Sequence, residues 1–152
     1  MYKSIKDCKK LNNGVEMPIL GFGVFRIMDN DETADCVKKA IKHGYRSIDT
    51  AMIYGNEAGV GKGIKESGIE REEVFITTKL WNADHGHEKA IKAFNDSLER
   101  LMVDYIDLYL VHWPLPKLNK YIETWETLET LYRDGKIRAI GVSNFNISHL
   151  EN

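Results

Sequence analysis

VFITTKLWNADHGHEKAIKAFNDSLERLMVDYIDLYLVH, residues 74–112, is the stretch whose reading decides the fold. It opens on a β-rich run, 74–79, that ends in a lysine, and it closes on an apolar run, 106–112, that ends in a histidine. Between them Ile91, Phe94, Leu98 and Leu101 recur at the three- and four-residue spacing that puts side chains on one face of a helix. A strand, a helix and a second strand of these lengths make a crossover unit, the connection that joins parallel strands. The second run is almost wholly apolar, as expected of a parallel strand covered by helices.

Working outward from this unit, the same pattern recurs. Further runs lie at 19–23, 45–49 and Ile137–Val142, and successive starts at 19, 45, 74, 106 and 137 are separated by 26, 29, 32 and 31 residues. Each step has room for one strand and its crossover helix. The segment 31–43 aligns Cys36, Val37, Ala40 and Ile41 ahead of Gly44, and Trp125, Leu128 and Leu131 form another stripe closed by Gly135. Ahead of the first unit, Leu11-Asn12-Asn13-Gly14-Val15 predicts a β-hairpin over 9–18, because Asn-Gly tolerates the positive φ of a two-residue turn. No linker or low-complexity tract interrupts the chain, so one domain over 1–152 is expected.

Composition agrees with a single core: 43% of the 152 residues are hydrophobic. Twenty-one basic and 23 acidic residues leave a formal charge of -2, which gives phosphate backbones or anionic lipid no general reason to bind. Neither nucleic acid nor a membrane is expected as a partner. The stretch 1–10 alternates charged and apolar residues, unlike a signal peptide, and no apolar run has the length of a bilayer span, so a cytoplasmic protein is expected. Cys8 and Cys36 form no CxxC or Cys/His cluster and read as reduced packing thiols.

Either a doubly wound sheet or a β/α barrel generates such a repeat, and the unusual polar residues choose between them. Asp49 ends the second run and Tyr54 follows in its loop. Lys79 ends the third, His112 ends the fourth, and Ser143 and Asn144 directly follow the fifth. A barrel builds its active site at the carboxyl ends of successive strands. A dinucleotide-binding doubly wound sheet shows a Gly-rich turn after its first strand, and Gly21-Phe22-Gly23 lacks both the third glycine and the helix start at the right offset. The barrel is therefore favoured.

Asp49, Tyr54, Lys79 and His112 also make chemical sense together. Reducing a carbonyl with a hydride requires a proton donor for the alkoxide that develops on oxygen. Tyr54 is the candidate donor, with the Lys79 ammonium positioned to stabilise its phenolate and Asp49 holding that lysine. His112 is placed to donate a hydrogen bond to the substrate oxygen. Singly, such residues read as a turn cap, a packing ring and a solvated tip. Four on one rim point to catalysis. Two other features receive plain readings. Gly59-Val60-Gly61-Lys62-Gly63 has no Ser or Thr after its lysine and continues as a helix, so it is not a phosphate loop. His85-Gly86-His87 has no accompanying carboxylate or thiol cluster and reads as a surface loop at a helix entry; no metal site is expected.

Residues 49–57 (DTAMIYGNE), 77–81 (TTKLW), 107–114 (DLYLVHWP) and 140–145 (IGVSNF) resemble, in order and at compatible spacing, the motifs of the aldo-keto reductase family. The resemblance runs from the hairpin to the last residue. It is closest to the bacterial glyoxal, methylglyoxal and 2,5-diketogluconate reductases. It implies an (α/β)8 barrel that binds NADP(H) in extended form and transfers hydride to a small aldehyde or ketone. It also implies a catalytic tetrad of Asp49, Tyr54, Lys79 and His112, with Tyr54 as the acid. By the same resemblance Ser143 and Asn144 hold the nicotinamide carboxamide, Gly23 and Val24 lie beside the cofactor with Asp49, and Phe25, Trp81 and Trp113 are walls of the substrate pocket. As core aromatics these three rings have an equally plain reading. The alternative to an enzyme is a truncated or non-catalytic protein that binds cofactor or partners on the same fold.

Against the family pattern the chain stops a few residues into the fifth barrel helix, so a barrel truncated after about five βα units is expected. The absent part would carry the groove for the cofactor pyrophosphate and adenosine and much of the substrate loop. The runs at 19–23 and Ile137–Val142 would then present open strand edges. Self-association through those edges, pairing with a separately made second half-barrel, and a product of little activity are the three expectations that follow.

Overall fold

The computed structural model describes residues 4–152, so the first three positions of the 1–10 stretch lie outside the described residues. The chain begins with a two-stranded antiparallel hairpin, β1 (Cys8–Lys10) and β2 (Glu16–Pro18), with Lys9 opposite Met17. Its turn differs from the expected two-residue form. Leu11 N–H donates to Val15 O at 2.8 Å, which encloses Asn12, Asn13 and Gly14, and only Gly14 has positive φ (90°). This is a three-residue loop with glycine at the left-handed position. Within the loop the Asn13 side-chain oxygen accepts from Val15 N at 3.2 Å, and its amide nitrogen donates to Arg138 O at 2.8 Å, docking the hairpin tip on the last strand.

Five parallel strands follow: β3 (Phe22–Gly23), β4 (Ser47–Asp49), β5 (Phe75–Leu80), β6 (Ile106–Val111) and β7 (Ile137–Val142). Their order across the sheet is the order along the chain. A doubly wound sheet reverses direction at a switch point. Here the strands progress one way only, which is the winding of a (β/α)8 barrel. The ladder at β3 is shorter than the 19–23 run because Ile19 N–H donates to Asp7 O at 3.0 Å, committing that backbone to the hairpin.

Helices α1 (Asn30–Lys42), α2 (Glu57–Ser67), α3 (His87–Leu101) and α4 (Tyr121–Arg133) cover the outer face, and a short α5 (Ile147–Leu150) ends the chain. Asp29 starts α1 by accepting from Glu32 N at 2.8 Å, the bond expected of an N-cap carboxylate. Between sheet and helices lies a core that includes Val37, Ile48, Ile76, Phe94, Tyr109 and Leu128. Every residue of β5 is buried, because the central strand is flanked by strands on both sides and by helices behind. At the opposite end from the carboxyl rim, the fully buried Asp107 accepts from Ile76 N at 2.9 Å, Arg71 at 2.6 Å and Arg138 at 2.6 Å, and so ties β5, β6 and β7 together. Both cysteines are free thiols. No described helix is long and apolar enough to cross a membrane.

Candidate active site

Parallel register brings the strand ends to one rim. Gly23 lies opposite Asp49, Asp49 opposite Thr77, Lys79 opposite Leu110, and Val111 opposite Val142. Residues at or just beyond these positions therefore emerge side by side. Phe25, Asp49, Tyr54, Lys79, Trp81, His112, Trp113, Ser143 and Asn144 all line a single open cleft of about 600 Å³, together with Arg26, Met28 and Ile53. Gly23 and Val24 do not line it. Val24 is wholly buried, belongs to the core, and donates its N–H to Asp49 O at 3.1 Å.

Lys79 is the best-anchored group. Its Nζ donates to Asp49 Oδ1 at 2.7 Å and to Thr50 O at 2.8 Å, which commits two of its three N–H donors. The ammonium also lies 5.2 Å from the centre of the Tyr54 ring. Tyr54 ends a one-turn 3₁₀ segment, Met52–Tyr54, which Gly55 closes in the left-handed conformation at φ 70°. On one side the Tyr54 ring meets Phe25, centroid to centroid 4.9 Å; on another it meets His112 edge-on at 5.9 Å. Trp81 packs edge-on against the same imidazole at 5.3 Å.

Burial, and next the Asp49 carboxylate, push the Tyr54 phenol above its ordinary value. The Lys79 ammonium, 5.2 Å from the centre of the Tyr54 ring, is ion-paired to Asp49 at 2.7 Å, and the phenol is protonated near neutral pH. Burial, with the Lys79 charge second, holds His112 below its ordinary value, so that its imidazole is neutral near pH 7. Its Nδ1 is buried and has no hydrogen-bond partner among the described residues.

At the far wall Asn144 adopts φ 62° and its Nδ2 donates to His112 O at 2.8 Å and Ser143 Oγ at 3.0 Å. Both amide hydrogens are thus used. The Asn144 Oδ1 acceptor and the Ser143 hydroxyl donor are left for a ligand, a pair that complements a primary carboxamide. Ser143 and Asn144 could thus hold the carboxamide of a nicotinamide cofactor.

Sequence reasoning assigned no role to Thr50, Arg26 or Asn56. The Thr50 contribution is a main-chain carbonyl, which no residue type advertises. Asn56 stands at the N-cap position of α2, and its residue type does not show that its amide is spent on other segments. Against the expected surface loop, His85 is buried, and His87 begins α3 with its Nδ1 3.0 Å from Thr127 Oγ1 on α4.

The sequence profile of the Aldo/keto reductase family matches residues 19–152. The chain is 62% identical over 151 residues to a glyoxal reductase of Bacillus subtilis (strain 168), covering 99% of this chain and 54% of that protein. The crystal structure of an aldo/keto reductase from Brucella melitensis superposes with a TM-score of 0.91 at 52% identity, covering 95% of this chain and 56% of the other. A Bombyx mori aldo-keto reductase in complex with NADP superposes with a TM-score of 0.88 at 38% identity, covering 98% and 54%. The chain spans about half the length of the curated relatives it matches.

Proposed function

The chain belongs to the aldo/keto reductase family, and from that premise we propose that its cleft serves the NADPH-dependent reduction of a small aldehyde or ketone to the alcohol. The single observation that carries this reading is the convergence of a protonated phenol, a carboxylate-anchored ammonium and a neutral imidazole on one cleft.

Tyr54 is the proton donor. Its hydroxyl gives a proton to the carbonyl oxygen as that oxygen gains negative charge, and Lys79 stabilises the phenolate left behind. Asp49 and the Thr50 carbonyl hold the ammonium in place, so little reorganisation is needed when the charge appears. His112, neutral because of burial and the nearby ammonium, donates a hydrogen bond that orients the same oxygen. Ser143 and Asn144 would hold the carboxamide of a nicotinamide cofactor, which when bound would supply the hydride for the carbonyl carbon. Phe25, Trp81 and Trp113 give the substrate an apolar wall along the open cleft. Glyoxal, the compound named for the Bacillus subtilis relative, is a fitting probe.

The test is to mix the chain with NADPH and glyoxal and follow the absorbance of the reduced nicotinamide. Turnover is expected, and Tyr54→Phe should lower it by about 10²–10⁴-fold, the usual worth of a positioned acid. Unaltered turnover by the Tyr54→Phe protein, or NADPH binding without any turnover, would overturn the assignment. For the open edges of β3 and β7 we propose as partner a second copy of the chain or a separate second half-barrel.

A further inference from the structure

Asn56 occupies the N-cap position of α2, where asparagine ordinarily accepts from a first-turn amide, yet its side chain makes no cap bond. That duty falls to a neighbouring helix: Asn30 of α1 accepts from Gly59 N at 2.8 Å. Asn56 itself is completely buried and is turned toward the active-site rim. Its Nδ2 donates to Val24 O at 2.9 Å and to Ile27 O at 2.8 Å, and its Oδ1 accepts from Thr50 Oγ1 at 2.7 Å. Every hydrogen-bonding position of the amide except one acceptor lone pair is occupied.

The two carbonyls it grips are the ends of a tight turn. Ile27 N–H donates to Val24 O at 3.1 Å, with Phe25 and Arg26 between, and Arg26 sits at φ 71°. That conformation favours glycine, and a residue with a Cβ holds it only where its surroundings over-determine it. Phe25 of this turn is 63% exposed and leans on Tyr54. On its other side Asn56 holds Thr50, whose carbonyl receives Lys79 at 2.8 Å.

We infer that Asn56 is a positioning residue of the active site: one buried amide clamps the strained Phe25–Arg26 turn over Tyr54 and sets the Thr50 carbonyl that anchors Lys79. The inference rests on the proposed reduction for its purpose. Its geometry is independent of turnover.

The experiment is nuclear magnetic resonance and hydrogen exchange on the chain and on Asn56→Ala. The Ile27 amide should exchange about tenfold faster in the variant, the effect of losing a buried hydrogen bond. Ring-to-ring contacts between Phe25 and Tyr54 should disappear, while the amides of the β5–β6 ladder keep their protection. Adding Arg26→Gly should restore most of the lost Ile27 protection, because glycine adopts the left-handed turn unaided; an ordinary packing role gives no such rescue. Equal loosening of Ile27 and of β6, or no rescue, would overturn the inference. Should Asn56→Ala not fold, scalar couplings across the hydrogen bonds from Asn56 Nδ2 to the Val24 and Ile27 carbonyls in the unaltered chain decide the matter, their absence counting against it. With glyoxal and NADPH, Asn56→Ala should raise KM by more than it lowers kcat. Inactivity of the unaltered chain would count against the proposed function alone.

Discussion

At the scale of single residues, the site combines groups that are legible as types with partners that are not. Tyr54, Lys79 and His112 draw attention because a phenol, an amine and an imidazole at strand ends are chemically uncommon together. Their condition depends on neighbours. Burial raises the Tyr54 phenol and lowers the His112 imidazole, and the same low-polarity surroundings lower His85. The two histidines have a measurable consequence. Each is held below the ordinary 6.5, so in the window just under that value the unfolded chain binds more protons than the folded one. Stability therefore rises with pH through this window; the contribution is complete above about pH 6.5 and is lost as pH falls toward the depressed folded values. We expect the thermal midpoint to drop further between about pH 7 and about pH 5 in the unaltered chain than in His85→Asn/His112→Asn. Scanning calorimetry at the two pH values checks this, and parallel curves would show that the imidazoles do not carry the effect.

Among the elements, strand positions were readable because each run is short, apolar and spaced by one helix. Their ends were less so. β3 is limited to Phe22–Gly23 by the hydrogen bond that Ile19 gives the hairpin, a competition between two sheets that a local pattern does not reveal. The glycines of α2 make the same point. Gly59-Val60-Gly61-Lys62-Gly63 superficially suggests phosphate binding, but these glycines sit where helices touch. A Cβ on Gly59 would stand 2.5 Å from Asn30 O and one on Gly63 2.6 Å from Ala34 O, while one on Gly61 would meet the Leu101 carbonyl of α3. On an exposed helix Gly→Ala stabilises by about 1 kcal/mol. Here Gly61→Ala should destabilise by about 2 kcal/mol, because the obstacle is backbone and cannot rotate aside. A lower urea midpoint at unchanged slope is the expected result, and a raised midpoint would refute the close-packing account.

For the whole molecule, the deciding feature is a sheet with two ends. β7 packs against β6 on one side only, and Ile140, Gly141 and Val142 remain half-buried beside a groove of about 710 Å³ that Leu108, Leu110 and Trp125 also line. An unpaired edge next to apolar surface is a template for association. We expect light scattering on the isolated 152-residue chain to show a mass that grows with concentration. A monomer of constant mass over a roughly hundredfold dilution would remove the edges as a partner surface. Taken by itself, the sequence determined the alternation of strand and helix, the barrel in preference to the doubly wound sheet, and which residue types stand at the strand ends. Hydrophobic period and strand-end position are local properties, so one chain displays them without coordinates. Only the tertiary structure decided that nine of those side chains share one cleft, that Lys79 is held through the Thr50 carbonyl, and that Asn56 leaves its helix to clamp a turn from another strand. Those facts depend on inter-strand register and on hydrogen bonds between segments about 30 residues apart, and a backbone carbonyl leaves no mark on the residue code.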